Sequence, residues 1–125
     1  MVKSIVSVII AISLILGGAV LENRFVRKQF DEFNIVLDTF YEKVENKTAN
    51  KQDAIAVQKS WIEKKKVLHI FIPHNDIKEV DLWVTETISL TEYEKFEDVL
   101  SKIDVLKELC IQIPNTFEIE FANIM

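Results

Sequence analysis

The chain has 125 residues, of which 49% are hydrophobic and 28% are charged, and its formal net charge is −5. This acidic balance excludes nucleic-acid binding through a dominant basic face. The single cysteine, Cys110, excludes an internal disulfide. The two glycines are adjacent, at positions 17 and 18, so the rest of the chain has neither a glycine-rich phosphate loop nor a G-x-S-x-G elbow.

An uncharged stretch, Ser4 to Leu21, dominates the N-terminal part of the sequence. Its 18 residues would form a helix about 27 Å long, close to the thickness of the hydrocarbon core of a bilayer. The stretch therefore predicts a transmembrane anchor over residues 1–24, with residues 4–21 in contact with lipid. A cleaved signal peptide is the alternative, with Lys3 as its basic region, but the apolar run is longer than such peptides usually have.

Residues 25–125 are predicted to form one all-α domain, an antiparallel up-down bundle of about four helices. With so few glycines and two prolines, the sequence favours long helices over strands joined by tight turns. The first helix follows the anchor without a break to about Glu45, and the polar segment 46–50 ends it. Apolar residues recur along this helix at spacings of three and four, as in a heptad seam: Val26, Phe30, Phe33, Leu37, Phe40 and Val44.

The second predicted helix begins after Asn50, which can cap it, and ends near Ile72 because Pro73 follows. Asp53 lies in its first turn, where the helix dipole favours an acidic side chain. Its seam has one polar member: Ala54, Val57, Trp61, Lys64, Leu68 and Phe71. Residues 67–72 are also rich in strand-forming residues, which is a competing interpretation, but the helical periodicity runs unbroken from Ala54.

Two capping boxes predict the starts of the third and fourth helices. Asn75 or Asp76 begins the third, with Glu79 three residues after Asp76, and Thr91 with Glu94 begins the fourth. Pro114 is predicted to end the fourth helix. The seam of the third helix is Ile77, Val80, Val84 and Ile88; that of the fourth is Phe96, Val99, Ile103, Leu106, Cys110 and Ile113.

The C-terminal tail is predicted to be extended, because Phe117, Ile119 and Phe121 alternate with two glutamates. In this interpretation the tail lies along a groove of the bundle and buries its three apolar residues. A hairpin that pairs residues 110–113 with residues 117–121 is the alternative. We rank it lower because an isolated two-stranded hairpin is marginal in water.

Several short motifs occur in a definite order along the chain. Trp61-x-x-x-Lys65 leads through Leu68 and Phe71 to His74, and the remaining motifs are Leu106-Lys107, Ile113-Pro114 and the closing Asn123-Ile124-Met125. In these motifs, and in its length and N-terminal anchor, the sequence resembles the bacterial domain-of-unknown-function family 4363. The resemblance implies a single-pass, membrane-anchored helical protein with an exported domain, and it implies no activity. Gln112 stands where the family pattern leads us to expect a histidine or a similar polar residue, which speaks against a paired-histidine site.

No combination of residues in the sequence predicts catalysis. The carboxylates of the fourth helix lie on its outer face, with no glycine-rich loop to shape a cleft between them. His69 and His74 are the two histidines, and they flank the Pro73 break rather than forming a set of three or four metal ligands. We therefore expect no enzyme, no cofactor and no metal.

Four residues are candidates for an interaction or structural role: Trp61, Phe71, His74 and Trp83. The two tryptophans are more typical of core anchors than of ligand platforms. The lysines at 59, 64, 65 and 66 form a basic cluster that can either contact anionic lipid or pair with acidic side chains. Residues 22–72 carry a net charge of +2 and residues 73–125 a net charge of −8, so the second outcome has many possible partners.

The sequence favours an interaction protein over an enzyme. The leading hypothesis is a non-catalytic scaffold or accessory subunit at the cell membrane that contacts an integral membrane protein or a second copy of itself. The alternative is an extracytoplasmic module that binds a small ligand or a metal at the His74 break. Basic residues after the anchor weakly favour a cytoplasmic domain, whereas the signal-anchor pattern and the resemblance favour an extracytoplasmic one, which is our prediction.

Overall fold

The computed structural model describes residues 2–124, with the side chains of all of these except residues 121, 122 and 124. Over this range the chain is all-α, with no strand, and forms four helices. The prediction of an all-α fold with about four helices is confirmed. The helices are α1 (Val2–Glu45), α2 (Lys51–Leu68), α3 (His74–Glu92) and α4 (Phe96–Ile124).

The first helix, α1, runs without interruption through Gly17 and Gly18 and joins two unlike halves. Up to Leu21 nearly every apolar side chain is exposed, whereas from Val26 onward the six predicted seam residues are all buried. Among residues 2–124, α1 alone is long and apolar enough to cross a membrane. A signal sequence has the same length and composition, so the N-terminal half of α1 is a candidate membrane span.

The core of the bundle consists of the seams of the four helices packed against one another. The six buried side chains of α1 belong to one core cluster with buried residues of the other three helices; α1 contacts α2 and α4, and α3 contacts the same two helices. The largest fully buried side chains are Trp61, Phe30, Phe33, Leu37, Leu68, Ile103 and Leu106. All of these lie at positions where the sequence predicts a seam, because burial of apolar area at spacings of three and four is what stabilises packed helices.

Ion pairs show which ends of the helices face each other. Between α1 and α4, Arg27 pairs with Glu118 and Asp38 pairs with Lys107. Residue numbers therefore rise along α1 as they fall along the facing part of α4. The pairs Glu32–Lys64 and Lys43–Asp53 give the same relation between α1 and α2, and Lys51–Glu92 and Lys65–Asp81 give it between α2 and α3.

The turn between α1 and α2 has the predicted chemistry. Asn50 caps α2 by accepting a hydrogen bond from the Asp53 amide at 3.0 Å, and the Asp53 carboxylate accepts one from the Asn50 amide at 3.0 Å. This reciprocal capping box satisfies two amides that the start of a helix leaves without backbone partners. The cap predicted at Asn50 is confirmed.

The connection between α2 and α3 differs from the prediction at both ends. The second helix ends at Leu68 rather than near Ile72, and residues 69–73 form a turn. The third helix begins at His74 and has no side-chain cap, so the predicted capping box of Asp76 and Glu79 is wrong. Pro73 occupies the capping position instead, with an extended ψ of 142°, and its carbonyl accepts hydrogen bonds from the amides of Asp76 and Ile77.

The predicted capping box of Thr91 and Glu94 is also wrong, because Thr91 lies in the last turn of α3. Its hydroxyl donates to the Thr87 carbonyl at 2.7 Å, which allows this polar side chain to be buried on the face that α3 turns to the core. The chain leaves the helix at Glu94, which has a left-handed φ of 57°. The fourth helix then begins at Phe96.

The predictions that Pro114 ends the fourth helix and that the tail is extended are also wrong, because α4 continues through Pro114 to Ile124. Proline removes the amide that would bond to the Cys110 carbonyl, at a cost of about 3 kcal/mol in a helix interior. The buried Ile113 and Phe117 continue the seam at spacings of three and four, and burying two such side chains gives about 3–6 kcal/mol, enough to offset this cost. In the tail, Phe117 is therefore buried on the helical seam, whereas Ile119 is exposed. The side chain of Phe121 lies outside the described residues.

Candidate functional site

Trp61, the first of the candidate residues, is a core anchor. Its side chain is 1% exposed, and its ring centroid lies 5.2 Å from that of Phe33 and 6.3 Å from that of Phe30. The indole Nε1 donates a hydrogen bond to Asp81 Oδ1 at 2.6 Å. Trp61 thus fills the space between α1 and α2 and has the polar partner that a buried indole requires.

Asp81 accepts hydrogen bonds from a second donor, which lies on the same face of α2 as Trp61. Lys65, one turn after Trp61, places its Nζ 3.3 Å and 3.2 Å from the two carboxylate oxygens of Asp81. Sequence reasoning did not single out Asp81. The signal was present in the Trp61-x-x-x-Lys65 spacing, because two donors four residues apart lie on one helix face and can share an acceptor on the helix that packs there.

Phe71 joins the turn at residues 69–73 to both neighbouring helices. Its ring makes edge-to-face contacts with Phe25 of α1, at 5.9 Å between centroids, and with Phe117 of α4, at 6.4 Å. Such contacts stabilise a pair of rings beyond the area that they bury. The turn is therefore held against the end of the bundle from which the apolar half of α1 extends.

An open cleft of about 440 Å³ lies beside this turn, at the same end of the bundle. Residues of the turn line this cleft together with Glu22, the first charged residue after the apolar run. At the tip of the turn, Ile70 is 70% exposed. The residues that line the cleft are Glu22, Ile70, Phe71, Ile72, Pro73, Phe117 and Glu120.

His74 lines a second cleft, of about 390 Å³, between α2 and α3. Two lysines and both histidines meet there with a single carboxylate, so basic and imidazole groups predominate over acidic ones. The lining residues are Ile62, Lys65, Lys66, His69, His74, Ile77 and Asp81. The surface at the His74 break is therefore open. Because its lining has more nitrogen donors than carboxylates, the cleft suits an anionic group better than a cation.

This second cleft does not have the arrangement of a metal site. Across the part of the chain that the structure describes, no group of three or more histidine, cysteine, aspartate or glutamate side chains is placed to hold a metal ion. His69 Nδ1 lies 3.0 Å from the Lys65 carbonyl oxygen, and the Asp81 carboxylate contacts Trp61 and Lys65. Two of the potential ligands are thus already engaged within the protein.

Trp83 lies apart from these clefts, on the side of α3 that faces α4. It is partly buried, and Lys102 Nζ lies 4.4 Å from the centroid of its ring, a cation–π contact. Lys102 also pairs with Glu86 at 3.1 Å. The four candidate residues therefore fall into three places: Trp61 in the core, Phe71 and His74 at the turn, and Trp83 at the interface of α3 and α4.

Most of the lysine cluster in α2 is paired within the bundle. Lys64 binds Glu32, and this hydrogen bond lowers the pKa of the Glu32 carboxyl group. Lys65 binds Asp81, whereas Lys66 makes an exposed pair with Glu63 at 2.9 Å. An exposed pair of this kind contributes little free energy, so Lys66 keeps its charge available at the surface of the second cleft.

Cys110 is buried on the α4 seam, as the sequence predicts. Burial away from solvent is the main reason that the pKa of its thiol rises to about 12. At neutral pH the thiol is therefore protonated, and it packs as a small apolar side chain rather than acting as a nucleophile.

Comparison with known proteins identifies the family but no characterised relative. Neither the curated proteins nor the solved structures give a match. A family model described as a domain of unknown function, DUF4363, matches residues 21–124. The match covers the whole helical bundle and begins at the last residue of the apolar run. On this evidence of sequence, the chain belongs to the DUF4363 family.

Proposed function

We propose that this protein is a single-pass membrane protein whose helical bundle acts as a non-catalytic scaffold or accessory subunit for a membrane partner. In this proposal the apolar half of α1 spans the bilayer, and residues 25–125 form an antiparallel up-down bundle beside it. The observation that carries the proposal is the continuity of α1, which passes from an exposed apolar run to a buried seam within one helix.

That continuity would hold the bundle at a short distance from the membrane. A flexible linker would let a domain diffuse around its anchor, whereas an unbroken helix transmits the position of the span to the bundle. A helix advances about 1.5 Å per residue, so Val26, the first buried seam residue of α1, would lie about 8 Å beyond Leu21. A bundle held this close to the bilayer is suited to contact other proteins at the membrane surface.

The bundle and the span both offer surfaces for such a contact. Between α1 and α2 an open groove of about 230 Å³ exposes Ile35 beside Val36 and Ala56. Within the apolar half of α1, small residues recur on one face and would allow another transmembrane helix to approach closely: Ser4, Ser7, Ala11 and Gly18. These features support either an integral membrane partner or self-association.

Cross-linking in intact membranes tests this proposal. An Ile35→Cys substitution in a Cys110→Ser background places one reactive thiol on the exposed groove, and Glu94→Cys places a matched thiol at an exposed turn away from it. We expect thiol cross-linking from position 35 to give a discrete larger species, either a dimer or a complex with one defined membrane protein. Monomer alone from both positions, with no co-purifying protein, would contradict the proposal.

We further propose that the bundle lies outside the cytoplasm. Lys47→Cys, in the exposed turn between α1 and α2, is a suitable reporter in the same Cys110→Ser background. An extracytoplasmic bundle predicts labelling by a membrane-impermeant thiol reagent in intact cells. Labelling that occurs only after lysis would place the bundle in the cytoplasm, as the basic residues after the anchor suggest.

A second candidate function is the binding of a small ligand at the cleft that His74 lines. The cleft of about 390 Å³, with Lys65, Lys66 and two histidines, favours a small anion over a metal cation. Calorimetric titration of the purified protein with inorganic phosphate and, separately, with zinc chloride tests both possibilities. Binding that is lost in Lys66→Gln would support this candidate, whereas no heat with either solute would contradict it.

A further inference from the structure

The turn between α2 and α3 lies at the level where the apolar run of α1 ends. Ile70 at the tip of the turn lines the same cleft as Glu22, the residue that directly follows the run. Leu21, the last residue of the run, is 68% exposed, and Ile70 is 70% exposed. Two large exposed apolar side chains thus lie at one end of the bundle, one in the candidate span and one at the tip of the turn.

The aromatic contact between Phe71 and Phe25 gives the height of the turn independently. The two ring centroids are 5.9 Å apart, and Phe25 lies four residues after Leu21 on α1. At about 1.5 Å per residue, this is roughly 6 Å along the helix axis. The interfacial layer on each side of a bilayer is about 5–7 Å thick. If residues 4–21 span the hydrocarbon core, the turn falls within the headgroup layer.

Charged groups are distributed unequally around the turn. On the side toward α1 and α4 the neighbouring cleft contains the carboxylates of Glu22 and Glu120. On the side toward α2 and α3 the second cleft contains His69, His74 and Lys66, whose pair with Glu63 is exposed, and Lys65 is held by Asp81. An ammonium group and imidazole N–H groups can donate to phosphate oxygens, so the second side alone is complementary to an anionic headgroup.

From this arrangement we infer that the turn at residues 69–73 is a second membrane contact. Ile70 inserts among the lipids at the boundary of the acyl chains, and Lys66 with His74 meets the phosphate of an acidic phospholipid. The inference rests on the proposed function, because the height of the turn is measured from a membrane-spanning α1. It adds a lipid-binding surface outside the apolar run, formed by residues that are far from that run in the sequence.

A second contact would fix the orientation of the bundle. A single span leaves the bundle free to rotate about the axis of α1 and to tilt. A contact through the turn would bring the α2–α3 side toward the membrane and leave the groove at Ile35 and Val36 accessible above it. The same rotation would present that groove to a neighbouring membrane protein in one direction.

Spin labelling of the full-length protein in lipid nanodiscs tests this inference. In a Cys110→Ser background, Ile70→Cys carries a nitroxide at the tip of the turn. Tyr93→Cys, at an equally exposed position 70% accessible to solvent and at the opposite end of α3, is the matched control. We expect the label at position 70 to collide with dissolved oxygen several-fold more, relative to a water-soluble nickel chelate, than the label at position 93.

Lipid composition identifies the headgroup. We expect the immersion of the label at position 70 to increase when acidic phospholipid replaces part of a zwitterionic bilayer, and Lys66→Glu to abolish this increase. Lys59→Glu, on the exposed face of α2 farther from the turn, should leave it intact. Inorganic phosphate added to the acidic nanodiscs should not displace the turn; displacement would instead assign the cleft to a soluble anion and overturn the lipid assignment.

Alkaline extraction of membranes separates the two possible failures. Suppose that the protein resists extraction but the labels at positions 70 and 93 are equally exposed to water in both lipid compositions. The membrane span then stands, and the second contact is wrong. If the protein is instead released at alkaline pH, the proposed function fails, and this inference fails with it.

Discussion

The two halves of α1 have the same backbone and different surroundings. In the N-terminal half, apolar side chains are exposed on all sides, and Leu14 is 71% exposed. In the C-terminal half, apolar side chains form one buried stripe, and Leu37 is 0% exposed. A helix that is apolar all round requires an apolar medium, whereas a helix with one stripe requires partner helices. Within one helix, the buried stripe therefore has its partner helices in the structure, whereas the exposed apolar run is a candidate membrane span.

The largest effect should come from truncating the same residue type in each half. We expect Leu37→Ala to lower the free energy of unfolding of the bundle by about 2–5 kcal/mol, because it leaves a cavity in the core. Leu14→Ala should change this free energy by less than about 0.5 kcal/mol, because no partner helix packs on that exposed position in the structure. Chemical denaturation of both variants in detergent, followed by circular dichroism, measures the difference. Equal losses would mean that the two halves are stabilised in the same way.

The next largest effect on stability concerns Trp61, which packs on the buried half of α1. Asp81→Ala removes the acceptor of the Trp61 indole and leaves a buried N–H without a partner, so we expect a loss of about 1–3 kcal/mol. The exposed Glu79, two residues earlier on α3, is the matched control for removing a carboxylate. In a Trp61→Phe background the cost of Asp81→Ala should shrink, and a double-mutant cycle measures this coupling. Full additivity would show that the hydrogen bond contributes nothing.

A smaller effect on stability should distinguish the turn before α2, far from the apolar half of α1, from the turn before α3, near that half. Asn50→Ala removes the side-chain cap of α2 and should cost about 1 kcal/mol. Asn75→Ala lies in the first turn of α3, where no side-chain cap is present, and should cost less than about 0.5 kcal/mol. Thermal unfolding of the two variants provides the comparison. A larger loss for Asn75→Ala would assign to that turn a stabilising role absent from the structure.

The smallest effect is the dependence of stability on pH. Hydrogen bonds from the Asn50 amide and from Lys43 lower the pKa of Asp53 below its ordinary value of 3.8, and a hydrogen bond from Lys64 lowers the pKa of Glu32 below its ordinary value of 4.5. A lowered carboxyl pKa in the folded state gives stability that is present above the unfolded value and is lost as the pH falls. We therefore expect the melting temperature to be flat near neutral pH and to decrease below about pH 4.5.

Variants and the alkaline limb sharpen this pH test. Asp53→Asn and Glu32→Gln should each weaken the acidic decrease. A hydrogen bond to Asp38 raises the pKa of Lys107 above its ordinary value of 10.5, so the stabilisation from that pair is present below this value and is lost as the pH rises beyond it. An acidic decrease of unchanged size in both variants would mean that other carboxylates cause it.

Much of the fold was predictable because it depends on local patterns. Spacings of three and four identified all six buried residues of the α1 seam, and Asn50 with Asp53 gave the start of α2. The capping boxes at Asp76 and Thr91 failed because a capping motif describes only four residues. Pro73 and the buried face of α3 decided the helix boundaries there instead.

The candidate site was less predictable, since its residues come from separate parts of the chain. Trp61 and His74 were recognisable by residue type, but their neighbours Asp81 and Lys66 acquire their roles only through the packing of α2 on α3. Ile70 was part of an apolar segment with no sign that its side chain would be exposed. Exposure at a turn depends on where the helix ends, and here α2 ends four residues before the predicted boundary.

The sequence by itself determined the helical class, the apolar run and the stripes along each helix, because hydrophobic periodicity and the absence of breakers act locally. Tertiary structure alone decided that α4 continues past Pro114, where the burial of Ile113 and Phe117 outweighs one lost hydrogen bond. It also placed the turn at residues 69–73 beside the end of the apolar run. Contacts between residues distant in sequence produce both results, and no local pattern contains them.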